Sequence, residues 1–135
     1  METTRNRQHP IAMSIIYQCL ILIESNQEID IKEIISDTTG EDFDDVDLYI
    51  KQVSVSAIAH IDEIKKSYVP NLRKWTWERL ALIERAILML SYSHYYYVGN
   101  VDKKVVINVA VELAKEYLDS KDYKFVNAIL ENTLK

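Results

Sequence analysis

Glycine and proline are scarce, with two of each in 135 residues. So few obligatory turns argue against a many-stranded β fold and for long helices. The single cysteine, Cys19, excludes an intrachain disulfide and a cysteine-based zinc cluster, and it fits a reducing, cytoplasmic setting. Two glycines cannot build a G-x-x-x-x-G-K-[ST] loop or a G-x-G-x-x-G turn. The histidines, His9, His60 and His94, stand far apart and match neither H-E-x-x-H nor the Glu-x-x-His pairs of di-iron bundles. His60 and His94 lie on or beside apolar faces, as core or boundary histidines do. Cys19 falls on a buried helix face, where thiols are normally inert. The acidic run at 41–47 lacks the glycine and terminal glutamate of a calcium loop. These absences exclude an enzyme, a metal site, a cofactor and a small-molecule substrate from the expected functions.

Long apolar runs are missing too. The stretch Ile11 to Ile23 is broken by Ser14 and Gln18 and falls short of the ~20 residues a spanning helix needs. Arg5 and Arg7 before it imitate a signal peptide, but Glu24-Ser25-Asn26-Gln27 offers no small-residue cleavage site. A buried helix is the better reading, and no membrane partner is expected.

What is present is an ordinary globular composition, 48% hydrophobic and 27% charged. The length suits one domain over residues 1–135, able to bury about two-thirds of its unfolded surface. Net charge is −5, which at first argues against nucleic acid. However, Glu41, Asp42, Asp44, Asp45 and Asp47 carry five negative charges within seven residues, so the other 128 balance. A nucleic-acid footprint needs a local basic patch and not a basic total.

Periodicity predicts seven helices, no strands, and hence an all-α compact helical bundle. The first runs from about Pro10, at its first helical position, to Ser25, with Ala12, Ile15, Ile16, Cys19, Leu20 and Ile23 on its core face. A short second helix, capped by Asp30, ends near Asp37. The third is the longest, Phe43 to Ser67, with an apolar stripe of Val46, Ile50, Val53, Ala57, Ile61 and Ile64. Asn71 to Trp77 forms a short fourth, and Leu80 to Tyr96 a fifth that Gly99 terminates in a left-handed conformation. The sixth starts after Asp102 and buries Val106, Val109, Ala110, Leu113, Ala114 and Tyr117. Ser120 caps the last, whose inner face is Val126, Ile129, Leu130 and Thr133.

Two surfaces carry chemistry suited to nucleic acid. Arg5, Arg7 and His9 form a basic arm, residues 1–9, before the first helix, and guanidinium groups both pair with phosphate and stack on bases. On the last helix Phe125 lies at the edge of the buried stripe beside Lys121 and Lys124, either a base-stacking platform with phosphate partners or a ring packed under the N-terminal helix. A third surface, on the fourth and fifth helices, carries Arg73, Lys74, Glu78, Glu84, Arg85 and Tyr92 between core positions, exposed by pattern.

Several segments together resemble one family. Val-Val-Ile-Asn-Val-Ala-Val-Glu-Leu-Ala-Lys from Val105 and Lys-Phe-Val-Asn-Ala-Ile-Leu-Glu from Lys124 resemble the C-terminal signature of the NusB family, small all-helical bacterial proteins of transcription antitermination. Arg5-x-Arg7 leading to Ala12 and Tyr17 agrees, as does Trp75 with Glu78-Arg79-Leu80 and Glu84-Arg85-Ala86-Ile87-Leu88. The resemblance implies binding of boxA-like single-stranded RNA in ribosomal RNA leader transcripts, with ribosomal protein NusE as partner and RNA polymerase engaged indirectly. It implies RNA contacts for the arginine segment and the Phe-Val-Asn turn, and protein contacts for Glu84 with Arg85 and Tyr92. Four positions depart from the family pattern: Val109 stands for Glu, Met89 for Arg, Ala128 for Gly and Asp102 for Pro. With a sparse arm, these leave room for an alternative, a divergent protein-interaction module of the same fold, a homodimer being one form, with little RNA affinity.

Overall fold

Helices account for the buried apolar pattern throughout. The structure, a computed structural model, describes residues 5–119 and 121–135, with side chains from residue 7 onward. Seven α-helices follow in order: α1 (Arg5–Glu24), α2 (Ile31–Thr39), α3 (Leu48–Ala59), α4 (Ile61–Tyr68), α5 (Leu82–Ser93), α6 (Lys103–Tyr117) and α7 (Asp122–Thr133). No strand occurs among the described residues.

The helix α5 is the axis of the bundle. Every residue from Glu84 to Ser93 is buried, because α1, α3 and α6 all pack on it. Its polar groups are satisfied internally: Ser91 Oγ donates to the Ile87 carbonyl at 2.8 Å and Ser93 Oγ to that of Val53 at 2.9 Å. Helix α1 runs antiparallel to it. Arg85 at the start of α5 reaches Glu24 at the end of α1, while His9 near the start of α1 lies 6.0 Å from His94 just beyond α5. Helices α6 and α7 form a second antiparallel pair, tied by Lys103 to the Glu131 carbonyl at 2.9 Å and by Lys115 over the Tyr123 ring at 4.9 Å.

Four boundaries differ from the sequence reading. Helix α1 begins at Arg5 and carries Pro10 inside it. A proline there, in the second turn, removes one backbone bond, and the cost stays local to the helix start. Burial of Gln8 and His9 holds the added turn in place. The long third helix is two. Its acidic start is a 3₁₀ turn over Phe43–Asp45, and the chain breaks at His60 (φ −112°, ψ 27°) between α3 and α4. The His60 ring explains the break, since Nδ1 sits 2.9 Å from the Ser56 carbonyl and the ring stacks on Tyr97 at 4.3 Å.

The expected fourth helix is instead two 3₁₀ turns, Val69–Asn71 and Trp77–Arg79, joined by a non-helical stretch that bends at Arg73 and Lys74. Pro70 starts no longer helix because the residues after it return to β geometry at Leu72 and Thr76. The fifth helix ends in a π-helical turn, His94–Val98, and Gly99 then takes φ 78°, ψ −169°. That region is open essentially to glycine alone and is not the left-handed helical cap expected. Asp30 caps α2 as expected, accepting from the Glu33 N–H at 3.2 Å, whereas Asp102 precedes α6 without a side-chain cap bond. The expected cap at Ser120 lies outside the described residues.

Core faces agree closely with the pattern. Ala12, Ile15, Ile16, Cys19 and Leu20 are buried in α1, and Val126, Ile129, Leu130 and Thr133 in α7. Ile23 and Val109 are only half-buried, and Tyr117 is 41% exposed at the end of α6, where Ile107 takes an inward place instead.

Candidate nucleic-acid interface

The basic positions expected to touch RNA fall on two sides of α6. Arg5 is the first residue of α1, and its side chain lies outside the described residues. Arg7, two residues or about half a turn further on, is exposed. His9 is buried, its ring edge-on to Tyr49 at 5.6 Å, so it anchors the helix start more than it offers a surface. From His9 and Pro10 a groove of about 390 Å³ runs against α6, bordered by Asn108, Val109, Glu112 and Glu116.

Across α6, Lys121 and Lys124 are exposed at the start of α7, and neither is ion-paired among the described residues. Phe125 is half-buried, packed against the core with one side at the surface, as its edge position required.

The third surface needs correction. Glu84, Arg85 and Tyr92 are all buried, because α5 is enclosed on every side and not laid on the surface. Arg85 is occupied structurally: Nε donates to the Leu80 carbonyl at 3.1 Å, Nη2 to the Glu78 carbonyl at 3.1 Å, and Nη1 to Glu24 at 3.3 Å. The Tyr92 hydroxyl bonds Ser67 Oγ at 2.9 Å and its ring lies against Tyr68 and Tyr96. These two side chains hold the fold and have little left for a partner. Glu84 differs, because it borders an open cleft of about 260 Å³ with Trp75, Arg79, Asp122 and Phe125. Burial, helped by the nearby Asp122 charge, pushes its carboxyl up to about 7. Arg73, Lys74 and Glu78 are exposed as expected, and Glu78 is ion-paired to Lys65, which holds its carboxyl below the usual range.

Around that cleft stands a residue the site reading passed over. Trp75 is 51% exposed, and Arg79 sits over its ring at 5.6 Å. A second cleft of about 270 Å³, lined by Arg73, Lys74, Trp75, Phe125, Ile129 and Asn132, also opens at Trp75. The signal was in the Trp-Thr-Trp spacing. In extended chain, residues two apart share a face, but a 3₁₀ turn begins at Trp77, which is buried against Tyr68 while Trp75 stays outside.

No described helix is long and apolar enough to cross a membrane, and no group of three or more described His, Cys, Asp or Glu could hold a metal ion. Burial pushes the Cys19 thiol up to about 11, far from the reactive range.

Comparison with known proteins bears on the family and the fold. Residues 6–135 match the model of the NusB family. The chain is 37% identical over 122 residues to a transcription antitermination protein NusB of Ligilactobacillus salivarius, covering 89% of this chain and 92% of that one. It is 31% identical over 133 residues to the NusB of Finegoldia magna, covering 98% and 94%. Its fold is that of T. maritima NusB, with a TM-score of 0.78 at 24% identity over 98% of this chain and 92% of that one. The chain therefore belongs to the NusB family of transcription antitermination proteins and is not an enzyme.

Proposed function

We propose that this chain acts in the cytoplasm by binding boxA-like single-stranded RNA of ribosomal RNA leader transcripts together with ribosomal protein NusE. The pair then keeps RNA polymerase elongating through terminators. The observation that carries this reading is the trio Lys121, Lys124 and Phe125, exposed cations beside a half-buried ring, across α6 from the exposed Arg7. Single-strand binders combine such cations for phosphate with aromatic rings for bases.

The groove between the two flanks is lined by Glu112 and Glu116, so it repels phosphate. Phosphate contacts then fall on the flanks, Arg5 and Arg7 on one side and Lys121 and Lys124 on the other. Glu84 supports the NusE half of the reading, since a carboxyl at the wall of an open cleft is suited to a cationic side chain from a protein partner. Two ligands sharing one surface strengthen each other's binding when one positions the other.

Fluorescence anisotropy of a short labelled boxA-like RNA tests this, with and without NusE. Binding that NusE strengthens, and that Arg5→Ala with Arg7→Ala weakens, is the expected result. Absence of binding at low salt even with NusE would leave the family fold without this RNA function.

A further inference from the structure

We propose that Trp75 is a second base-stacking subsite. One unpaired base of a single-stranded RNA lies against its indole in the cleft shared with Phe125, and the adjoining phosphates lie on Arg73 and Lys74. This rests on the RNA reading above and extends the strand's path beyond α7.

Three independent features of the site point to a base. First, a tryptophan 51% exposed sits two residues from one that is 4% exposed. The ring stands between a bend at Arg73–Lys74 and the extended Thr76 that leads into the Trp77 turn, so the backbone holds it at the surface while Trp77 turns inward. Second, the charge on the second cleft is one-signed. Arg73 and Lys74 line it, exposed and unpaired with any described carboxylate, and no acid lines it. Glu78 is bound to Lys65, and Glu84 and Asp122 border the first cleft only. On a chain of net charge −5, such a patch favours a polyanion over an acidic or neutral protein surface with less charge to match.

Third, the second cleft has the right make-up and size. Trp75, Phe125 and Ile129 give it apolar walls, and the exposed Asn132 amide can meet a base edge. At about 270 Å³ it lies just below the ~300 Å³ at which small-molecule pockets begin, room for one ring. Arg79 borders the first cleft and not the second, so its cation–π contact leaves the Phe125–Asn132 side of the indole open. Phe125 lines both clefts, so a strand held by Lys121 and Lys124 reaches this one without a gap.

Intrinsic fluorescence gives a direct readout, because Trp77 is buried and only Trp75 is open to a stacking base. Titrating the full chain with a short boxA-like RNA is expected to quench that emission. Trp75→Ala is expected to weaken RNA binding about 5- to 100-fold with an unchanged salt slope, and Trp75→Phe to keep most of the affinity. Arg73→Ala with Lys74→Ala is expected to flatten the log–log salt slope by about 1.4. Circular dichroism checks that the variants fold. If Trp75→Ala binds RNA like the wild type while Arg7→Ala weakens it, the subsite is wrong and the RNA function stands. If Trp75→Ala loses only NusE, this face belongs to the protein partner and the inference is overturned. If the wild type binds no RNA with or without NusE, both readings fall together.

Discussion

At the scale of single residues, Glu84 and Arg85 show how one buried helix start divides structure from function. Burial beside Asp122 raises the Glu84 carboxyl to about 7 from an ordinary 4.5. The folded state therefore holds that proton more tightly than the unfolded chain. Below the unfolded value both states are protonated and nothing is lost; as pH rises through the folded value the buried charge subtracts from stability. Glu84→Gln is thus expected to melt about 3–8 °C above the wild type at pH 8 and to lose most of that gain by about pH 5, measured by thermal scans at both. Arg85 is the opposite case, buried with two main-chain carbonyls and one exposed carboxylate as acceptors. Glu24 is half-exposed, so its ion pair is screened and contributes little. The buried Leu80 carbonyl matters more, because Arg85→Ala strands it in the interior, whereas the Glu78 carbonyl is only partly buried. The expected loss is about 2–4 kcal/mol in a urea titration, and a loss under about 1 kcal/mol would mean water replaces the guanidinium. Neither role was readable in the sequence, where both residues alternate with core positions as exposed helix residues do.

At the scale of elements, the legible features were those that depend on periodicity. The inner faces of α1, α5 and α7 follow from apolar spacing alone, since burying a stripe is what makes each helix stable in the bundle. Breaks set by side-chain contacts were not legible. His60 splits α3 from α4 through a bond to Ser56 and a stack on Tyr97, a residue far along the chain. The extension of α1 past Pro10 likewise depends on His9 meeting Tyr49 and His94. The two glycines show the same limit, since composition predicts that each ends an element but not with which backbone geometry. Gly40 takes φ 75°, ψ 16°, which asparagine tolerates, whereas Gly99 takes φ 78°, ψ −169°, which it does not. Neither position has an atom within 4 Å of an added Cβ, so any difference between them is conformational. Gly40→Asn is expected to stay within about 0.5 kcal/mol of the wild type and Gly99→Asn to cost about 1–3 kcal/mol by denaturant unfolding. Equal costs would show that the turn after the π-helical segment relaxes.

At the scale of the whole molecule, total charge misleads and its distribution decides. The acidic run at 41–47 surrounds a 3₁₀ turn that packs on α2, with Lys32 and Lys51 over the Phe43 ring. The proposed RNA surface is built on other elements, the start of α1 and the start of α7. Sequence reading located the α7 cations and Phe125 because they sit next to a clear buried stripe. It passed over Trp75 because an exposed tryptophan is recognisable only once Trp77 is seen to point inward. Salt dependence weighs these surfaces together, since each phosphate contact on a single strand adds roughly −0.7 to the slope of log affinity against log salt. Four contacts, from Arg5, Arg7, Lys121 and Lys124, contribute about a fifty-fold loss of affinity between 50 and 200 mM salt, which Arg73 and Lys74 multiply by about seven if they also hold phosphates. Removing two of the four with Lys121→Ala and Lys124→Ala is expected to reduce the measured loss by a factor of about seven, read by anisotropy at both salt concentrations. An unchanged slope in that double variant would take the α7 cations off the RNA path. An unchanged slope that persists when Glu41, Asp42, Asp44, Asp45 and Asp47 are neutralised would show that the acidic run acts on solubility and folding alone, because screened charges beyond about 8–10 Å no longer reach the strand.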